Sequence, residues 1–282
     1  MIEIEFGAMG TRVVAIGADP EGVPEFFARA ERVFSRFDRG SELSALNHDP
    51  ARSVEVSEAM AACLNKAWDL RNRTGGLIDP AVGSAVVEWG YDRTFAEVED
   101  RGPVGDLAAV GDWSIFGNVV ARRPGVLLDL GGLAKGWTAD RAVEAGLADI
   151  VSAGGDVRSR HAETTVSIQD PWGEVIASVH LGSGGLATST SASRRWKAGD
   201  VAAHHIVDPR NVRPATSPII SATVIAPTAV QAEAGAKAVL LQGEQGLTWA
   251  EQQDWIDSAL VVWHDGSVFA TTGMELAERS AV

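Results

Sequence analysis

Three glycines and a lysine lie together in the segment from Asp129 to Gly136, between a predicted strand and a predicted helix. Glycines in such a turn allow backbone N–H groups to approach a phosphate, and the helix N-terminus adds positive potential. The spacing matches neither the phosphate-binding loop of nucleotide hydrolases nor the dinucleotide fingerprint. Taken alone, the segment is therefore either a phosphate-binding turn or a tight turn between a strand and a helix.

A second glycine-rich turn, Gly154-Gly155-Asp156, follows the next predicted strand. Asp156 could accept a hydrogen bond from a ribose hydroxyl or a ring nitrogen, although an ordinary β-turn has the same composition. Residues 188–191 offer four consecutive hydroxyl groups that could hold phosphate oxygens. Because such runs are also common in solvated loops, neither motif identifies a ligand by itself.

Two of the six histidines, His204 and His205, lie close to Asp208 and Pro209. A histidine can accept a proton from a hydroxyl group near neutral pH, and a nearby aspartate can orient it. Neighbouring side chains of an extended segment point in opposite directions, so we expect at most one histidine to face a given site. Either one could instead be satisfied within a turn. Asp79, before Pro80, offers another carboxylate in a rigid turn, again with a purely structural alternative.

Glu233 and Lys237 are four residues apart on a predicted helix and therefore share one face. The ordinary interpretation is a surface ion pair that contributes about 0.2–0.5 kcal/mol. The nine tryptophans could include a stacking partner for an aromatic ligand, but we expect most of them to pack against other side chains.

Periodicity and turn residues predict the elements that must position these groups. The predicted strands cover residues 2–6, 12–16, 126–130, 149–153, 164–168, 175–181, 219–226, 259–263 and 267–271, and the predicted helices cover 23–38, 58–75, 133–147 and 229–241. Residues 92–124 are predicted to be loop and short strand. With no repeat and no linker, the prediction is an α+β fold in which residues 1–282 form a single mixed α/β unit.

Composition restricts the classes of partner. The chain has 282 residues, 45% of them hydrophobic, which is enough for a large core. A net charge of -14 without a long basic run makes nucleic acid an unexpected partner. Cys63 is the only cysteine, which excludes an internal disulfide and a zinc site with several thiolates. No segment has about 20 consecutive apolar residues and the N-terminus lacks a signal-peptide pattern, so we expect a cytoplasmic protein without a membrane segment.

In their order along nearly the whole chain, these motifs closely resemble those of the ApbE family of flavin transferases. The resemblance covers residues 9–11, 34–47, 78–83, 129–136, 153–156, 187–189, 205–209 and 221–237. It implies an enzyme that cleaves FAD. A threonine or serine hydroxyl of an acceptor protein attacks the FMN phosphorus, AMP leaves, and FMN stays on the acceptor through a phosphoester.

The resemblance also implies roles for individual residues. His205 would take the proton of the acceptor hydroxyl, and Lys135, lying near the phosphates, is the second catalytic candidate. The implied FAD-binding residues are Met9, Ser41, Ser44, Asn47, Asp79, Gly131, Gly132, Lys135, Gly154, Gly155, Asp156, Thr188 and Ser189.

A magnesium ion is the other implied component, held by the Ala134 carbonyl and by an Asp and a Thr of the family. Glu233 and Lys237 stand at those two side-chain positions here. A protonated lysine cannot ligate magnesium, so we expect its ammonium group to pair with Glu233 or touch the phosphates, leaving metal binding weaker or absent. Val212 and Thr190 replace two family glycines, which implies altered turns.

These departures keep two other functions open. One is an FAD-binding protein without transferase activity, and the other is an FAD pyrophosphatase that releases FMN and AMP. The identity of the acceptor protein does not follow from the sequence.

Overall fold

Helices and antiparallel sheets make up the fold of residues 1–275, which are the residues that the computed structural model describes. The helices are α1 (Val23–Phe34), α2 (Glu42–His48), α3 (Glu58–Arg73), α4 (Gly83–Glu88), α5 (Ala134–Glu144), α6 (Ala229–Gln242) and α7 (Gly246–Glu251). The strands are β1 (Ile2–Ala8), β2 (Thr11–Gly17), β3 (Ser53–Glu55), β4 (Trp113–Phe116), β5 (Val119–Arg122), β6 (Ile150–Ala153), β7 (Asp156–Ser159), β8 (Thr165–Gln169), β9 (Val175–His180), β10 (Gly185–Thr190), β11 (Arg195–Ala198), β12 (Val201–His204), β13 (Val207–Asp208), β14 (Arg213–Pro214), β15 (Ile219–Ala226), β16 (Ser258–Trp263) and β17 (Val268–Ala270). The predicted α+β class is confirmed.

The chain divides into two compact units. The first contains residues 1–27, 135–192 and those from 217 onward, and the second contains residues 28–134 and 193–216. The single domain predicted over residues 1–282 is neither confirmed nor contradicted by this division, and it stays a prediction. None of the helices within residues 1–275 is long and apolar enough to cross a bilayer.

An antiparallel sheet of eight strands, in the order β1-β2-β6-β7-β10-β15-β16-β17, forms the centre of the first unit. β1 and β2 form the predicted N-terminal hairpin. All eight residues of β15 are buried, in keeping with its mostly apolar sequence. One core cluster of this unit lies where β2 and β6 pack with helical residues, and its members include Val13, Ala15, Phe27, Ala139 and Val151.

Helix α6 is buried around almost its whole circumference because alanines and a glycine allow close packing. Its N-terminus is held from two sides. The Thr228 side chain accepts a hydrogen bond from the Gln231 backbone N–H, and the buried Asp140 carboxylate accepts those of Ala229 and Val230 at 2.8 and 3.0 Å. Both contacts satisfy N–H groups that have no partner within the helix.

The second unit contains a small sheet in the order β3-β5-β4, the β11–β12 hairpin and the short β13–β14 pair. Its core surrounds two tryptophans. Trp196 donates through Nε1 to the Trp89 carbonyl at 2.8 Å, and Trp89 donates to the Val212 carbonyl at 2.7 Å. These bonds connect the residue that follows α4 with β11 and with the turn before β14.

The prediction of a strand at residues 126–130 is wrong, and with it the strand, helix, strand unit around α5. The segment is buried but extends alongside no strand. Its backbone is bonded to isolated groups instead: both Leu128 backbone groups bond to the Asn47 side-chain amide at 2.8 Å, and the Asp129 N–H donates to the Pro80 carbonyl. The apolar residues of this segment therefore predicted burial correctly, but they did not predict its secondary structure.

Candidate active site

Four charged side chains of the first unit form a buried cluster. Lys135 Nζ lies 2.9 Å from Asp156 Oδ2 and 2.7 Å from Glu233 Oε1. Lys237 Nζ lies 3.2 Å from the same Glu233 oxygen. The Glu233 side chain is 1% exposed, so the expectation of an ordinary surface ion pair at 233 and 237 is wrong. The cause is the burial of α6 on nearly all sides.

The first turn of α5, one face of α6 and the glycine turn before β7 bring these side chains together. Lys135 is the second residue of α5, and Glu233 and Lys237 lie one turn apart on α6. Asp156 opens β7 directly after Gly154 and Gly155, whose φ angles of 62° and 99° are easily adopted only without a side chain.

Tight approach of the two helices depends on Gly136. Its backbone N–H donates to Glu233 Oε2 at 3.1 Å. A Cβ atom at this position would lie 2.9 Å from the Ala229 carbonyl carbon and from the Val230 nitrogen. Glycine therefore allows the start of α5 to reach the first turn of α6 and to hold the Glu233 carboxylate.

Burial and mutual charge set the protonation of the cluster. Burial and, next, the neighbouring Glu233 carboxylate raise the pKa of Asp156 to about 6 against the opposing effect of Lys135 and Lys237. Burial would also raise the pKa of Glu233, but Lys135 and Lys237 outweigh it and lower that pKa. For Lys135, burial favours the neutral amine, whereas the two carboxylates prevail and raise its pKa. Both Lys135 and Glu233 are therefore charged at neutral pH.

Thr188 and Ser189 lie within β10, near the middle of the sheet. Their expected placement in a solvated loop, which was the alternative to phosphate binding, does not occur. The Thr188 hydroxyl is 2.8 Å from that of Thr223 on β15, and Ser189 is buried. The ideal Cβ position of Gly155 is 4.0 Å from the Thr188 carbonyl oxygen, so the glycine turn approaches this strand. Met9, in the β1–β2 turn, has a positive φ of 50°.

In the second unit, the predicted FAD-binding residues of α2 bond to the chain itself. Ser41 caps the helix by accepting the Ser44 N–H at 3.0 Å, and its hydroxyl donates to the Ser35 carbonyl. The Ser44 hydroxyl lies 3.4 Å from the Arg36 carbonyl. Asn47 holds Leu128, as described above. These contacts fix the loop before α2 and the segment after β5.

Asp79 is similarly engaged. Its carboxylate accepts hydrogen bonds from Arg71 Nε at 2.6 Å, from Trp113 Nε1 at 2.8 Å and from the Ala81 backbone N–H at 3.0 Å. It therefore caps a short 3-10 helix and joins it to α3 and β4. A role for Asp79 in cofactor binding stays a prediction.

The turn that contains Gly131 and Gly132 is held by Asp129. This carboxylate accepts the Gly131 N–H at 2.7 Å and a hydrogen bond from Arg36 Nε at 2.8 Å. The Arg36 guanidinium carbon is 4.1 Å from the centroid of the Phe37 ring, a cation–π distance. Sequence reasoning did not select Arg36, although it lies within a motif that resembled the family.

The adjacent histidines differ in their surroundings. His204 is buried, with Nε2 at 2.9 Å from the Ala215 carbonyl and Nδ1 accepting the Ile206 N–H at 3.3 Å. Burial lowers its pKa. Since both of its ring nitrogens are bonded to backbone groups, His204 has a structural role. His205 is half-buried, and Asp208 binds the Arg210 guanidinium through both carboxylate oxygens.

The turn after Asp208 keeps a left-handed residue in spite of the replaced glycine. Val212 has a φ of 53°, and its N–H donates to the Asp208 carbonyl at 2.8 Å. A β-branched residue in this region is strained.

Residues 9–260 match the model of the ApbE family. The chain belongs to the ApbE family. A protein of Rhodobacter capsulatus named FAD:protein FMN transferase is 35% identical over an alignment of 254 positions, which covers 83% of this chain and 48% of that protein. The protein of the same name from Treponema pallidum is 30% identical over an alignment of 292 positions, gaps included, which covers 90% of this chain and 79% of the relative. The chain thus spans about half the length of the first relative.

Solved ApbE structures share the fold. The crystal structure of the ApbE protein of Thermotoga maritima has a TM-score of 0.85 and 27% identity, covering 96% of this chain and 97% of that one. The flavin transferase ApbE of Vibrio cholerae has a TM-score of 0.77 at 21% identity over 96% of this chain and 97% of its own.

The residues expected to hold the ApbE-type magnesium do not suit that ion. Magnesium prefers six oxygen ligands in octahedral arrangement. Glu233 Oε1 already contacts two ammonium groups, and Oε2 accepts the Gly136 N–H. Among residues 1–275, no group of three or more histidine, cysteine or acidic side chains is arranged for a metal ion. Ala134, the carbonyl expected to complete the site, is the first residue of α5.

Proposed function

We propose that this ApbE chain is an FAD:protein FMN transferase that uses FAD and an acceptor protein as substrates. A bond forms between a threonine or serine hydroxyl oxygen of the acceptor and the FMN phosphorus. The anhydride bond to AMP breaks, the AMP oxygen takes its electron pair, and the hydroxyl proton passes to a base. The products are a phosphoester-linked FMN and AMP.

The observation that carries this proposal is the pair of ammonium groups fixed beside the start of α5. An ammonium group has three N–H donors. Lys135 directs its ammonium group to Asp156 and Glu233, and Lys237 directs its own to Glu233. Donors on both groups remain for phosphate oxygens, and the positive end of α5 adds to their attraction. Fixed positive charge of this kind stabilises charge that develops during phosphoryl transfer.

We assign the base to His205. Its neighbour His204 is unsuitable because Ala215 and Ile206 hold its two ring nitrogens. Thr188 and Ser189 are proposed to bind phosphate oxygens from β10, and Asp156 is proposed to bind the flavin or ribose when FAD is present. The roles of Met9, the glycines and the residues of α2 in FAD binding remain part of the same proposal.

The experiment combines purified protein, FAD and an acceptor protein that a known flavin transferase labels. Covalent transfer should give a fluorescent acceptor band after denaturing electrophoresis, together with one AMP for each FMN attached. An unlabelled acceptor would contradict the proposal. In that case, retained FAD without AMP would indicate a binding protein, whereas AMP and free FMN formed without acceptor would indicate a pyrophosphatase.

A further inference from the structure

We propose that Lys237 takes the place of a divalent cation in this site, so that FAD cleavage by this chain needs no magnesium. The inference rests on the proposed transferase function. It states that the positive charge that binds the phosphate oxygens is an ammonium group and not a metal ion.

The position of Lys237 supports the proposal first. Its ammonium group lies 3.2 Å from Glu233 Oε1 and 3.5 Å from the Glu233 carbonyl oxygen. Lys135 contacts the same carboxylate oxygen at 2.7 Å. A cation that approached this oxygen would meet two ammonium groups that already occupy its lone pairs, so it could bind there only by displacing one of them.

The partial exposure of both lysine side chains is the second observation that supports the proposal. The side chains of Lys135 and Lys237 are 15% and 17% exposed, while that of Glu233 is 1% exposed. Each ammonium group therefore retains some access to a ligand, and the carboxylate that orients them has almost none. The long 3.5 Å contact of Lys237 with the Glu233 carbonyl is readily exchanged for a charge-assisted bond to a phosphate oxygen.

The charge balance of the buried cluster is the third observation that supports the proposal. Two carboxylates and two ammonium groups give the cluster no net charge when all four are ionised. Phosphate oxygens can thus bind to ammonium groups whose burial is already compensated by Asp156 and Glu233. A fixed ammonium group requires no ion to be captured before the substrate binds.

The test measures AMP release from FAD with acceptor, in EDTA and in excess magnesium, for the natural protein, Lys237→Thr and Lys197→Thr. Lys197 is an exposed residue of β11, where threonine fits a strand, and serves as the matched control. We expect the natural protein and the control to be equally active in both solutions. Lys237→Thr should lose roughly a hundredfold of its rate in EDTA and regain much of it with magnesium. A natural protein that is inactive in EDTA and active in magnesium would overturn the proposal.

Manganese titration followed by electron paramagnetic resonance gives a second measurement that does not depend on catalysis. Lys237→Thr should gain one saturable manganese site in the presence of FAD, and the natural protein should show none. A saturable site of equal affinity in the natural protein would overturn the proposal even if the variant failed to fold. If no sample releases AMP, the transferase function is contradicted, and the titration alone then decides the inference about Lys237.

Discussion

Gly136 donates its backbone N–H to the Glu233 carboxylate, and no larger residue fits in its place. The donor and acceptor are 3.1 Å apart, and an added Cβ would be 2.9 Å from the Ala229 carbonyl carbon and the Val230 nitrogen. Both obstacles are backbone atoms of α6, so a side chain at 136 would have to displace the helix.

Gly136→Ala should therefore lower the free energy of unfolding by about 1–3 kcal/mol, the usual cost of overpacking. It should also weaken FAD binding, because Glu233 and both lysines would move. Urea unfolding and FAD titration measure the two effects. Gly7→Ala is the control, since nothing lies within 4 Å of its added Cβ. Equal stability of the two variants would contradict the close approach described for Gly136.

His205→Asn should slow FMN transfer by about 10²–10⁴-fold and leave FAD affinity unchanged, because it removes a proton acceptor while keeping a polar side chain. The rate of acceptor labelling and an FAD titration distinguish these effects. His264→Asn, at an exposed position in the β16–β17 turn, is the control and should label at the natural rate. Transfer at full rate by His205→Asn would exclude this histidine as the base.

Asp140 should make stability depend on pH in a defined direction. Burial raises its pKa from 3.8 to about 6 in the folded protein. The folded state then binds more protons than the unfolded state between these values, so stability from Asp140 is fully present below pH 3.8 and decreases as pH rises to 6. The shift of roughly two pH units corresponds to about 3 kcal/mol.

Asp140→Asn should remain folded but less stable at low pH, because the amide has one acceptor oxygen for Ala229 and Val230, whereas the protonated carboxyl group keeps acceptor capacity on both oxygens. Its deficit relative to the natural protein should shrink by about 3 kcal/mol between pH 4 and 7. Urea unfolding of both proteins at several pH values gives the difference directly. A deficit that is constant with pH would show that the pKa of Asp140 is not raised.

Val212→Gly should cost less stability than its burial suggests. Removing the side chain loses about 1.5–3 kcal/mol of burial, but glycine relieves about 1–2 kcal/mol of left-handed strain. Val207→Gly is the matched control because Val207 is a buried strand residue of the same unit. We expect urea unfolding to show a loss smaller by about 1–2 kcal/mol at position 212. Equal losses would argue against the strained φ of 53°.

Local patterns predicted the elements whose hydrogen bonds are local. The β1–β2 and β16–β17 hairpins and most of α5 and α6 follow from alternation, glycine turns and helical spacing. The prediction of a strand at residues 126–130 failed because the backbone groups of Leu128 bond to the side chain of Asn47, a residue 81 positions away. Pattern alone does not reveal such a distant partner.

In the candidate site, too, single motifs identified residues, whereas contacts between distant parts of the chain were not predicted. Lys135, Asp156 and Glu233 were each selected from their own motifs, and the structure brings them together through contacts of β7, α5 and α6. The capping role of Asp140 was missed because its partners lie 89 and 90 residues away and no turn or glycine marks it. Helical spacing placed Glu233 and Lys237 on one face but could not tell that this face is buried.

The ends of the eight-stranded sheet affect how this protein behaves among other proteins. In the described part of the chain, β1 and β17 are its outermost strands. β17 has only three residues, and β1 carries the exposed charges of Glu3 and Glu5. Short or charged edges discourage another chain from adding a strand. Another chain is thus not retained at this sheet by backbone pairing, and crowded copies have little tendency to aggregate through it.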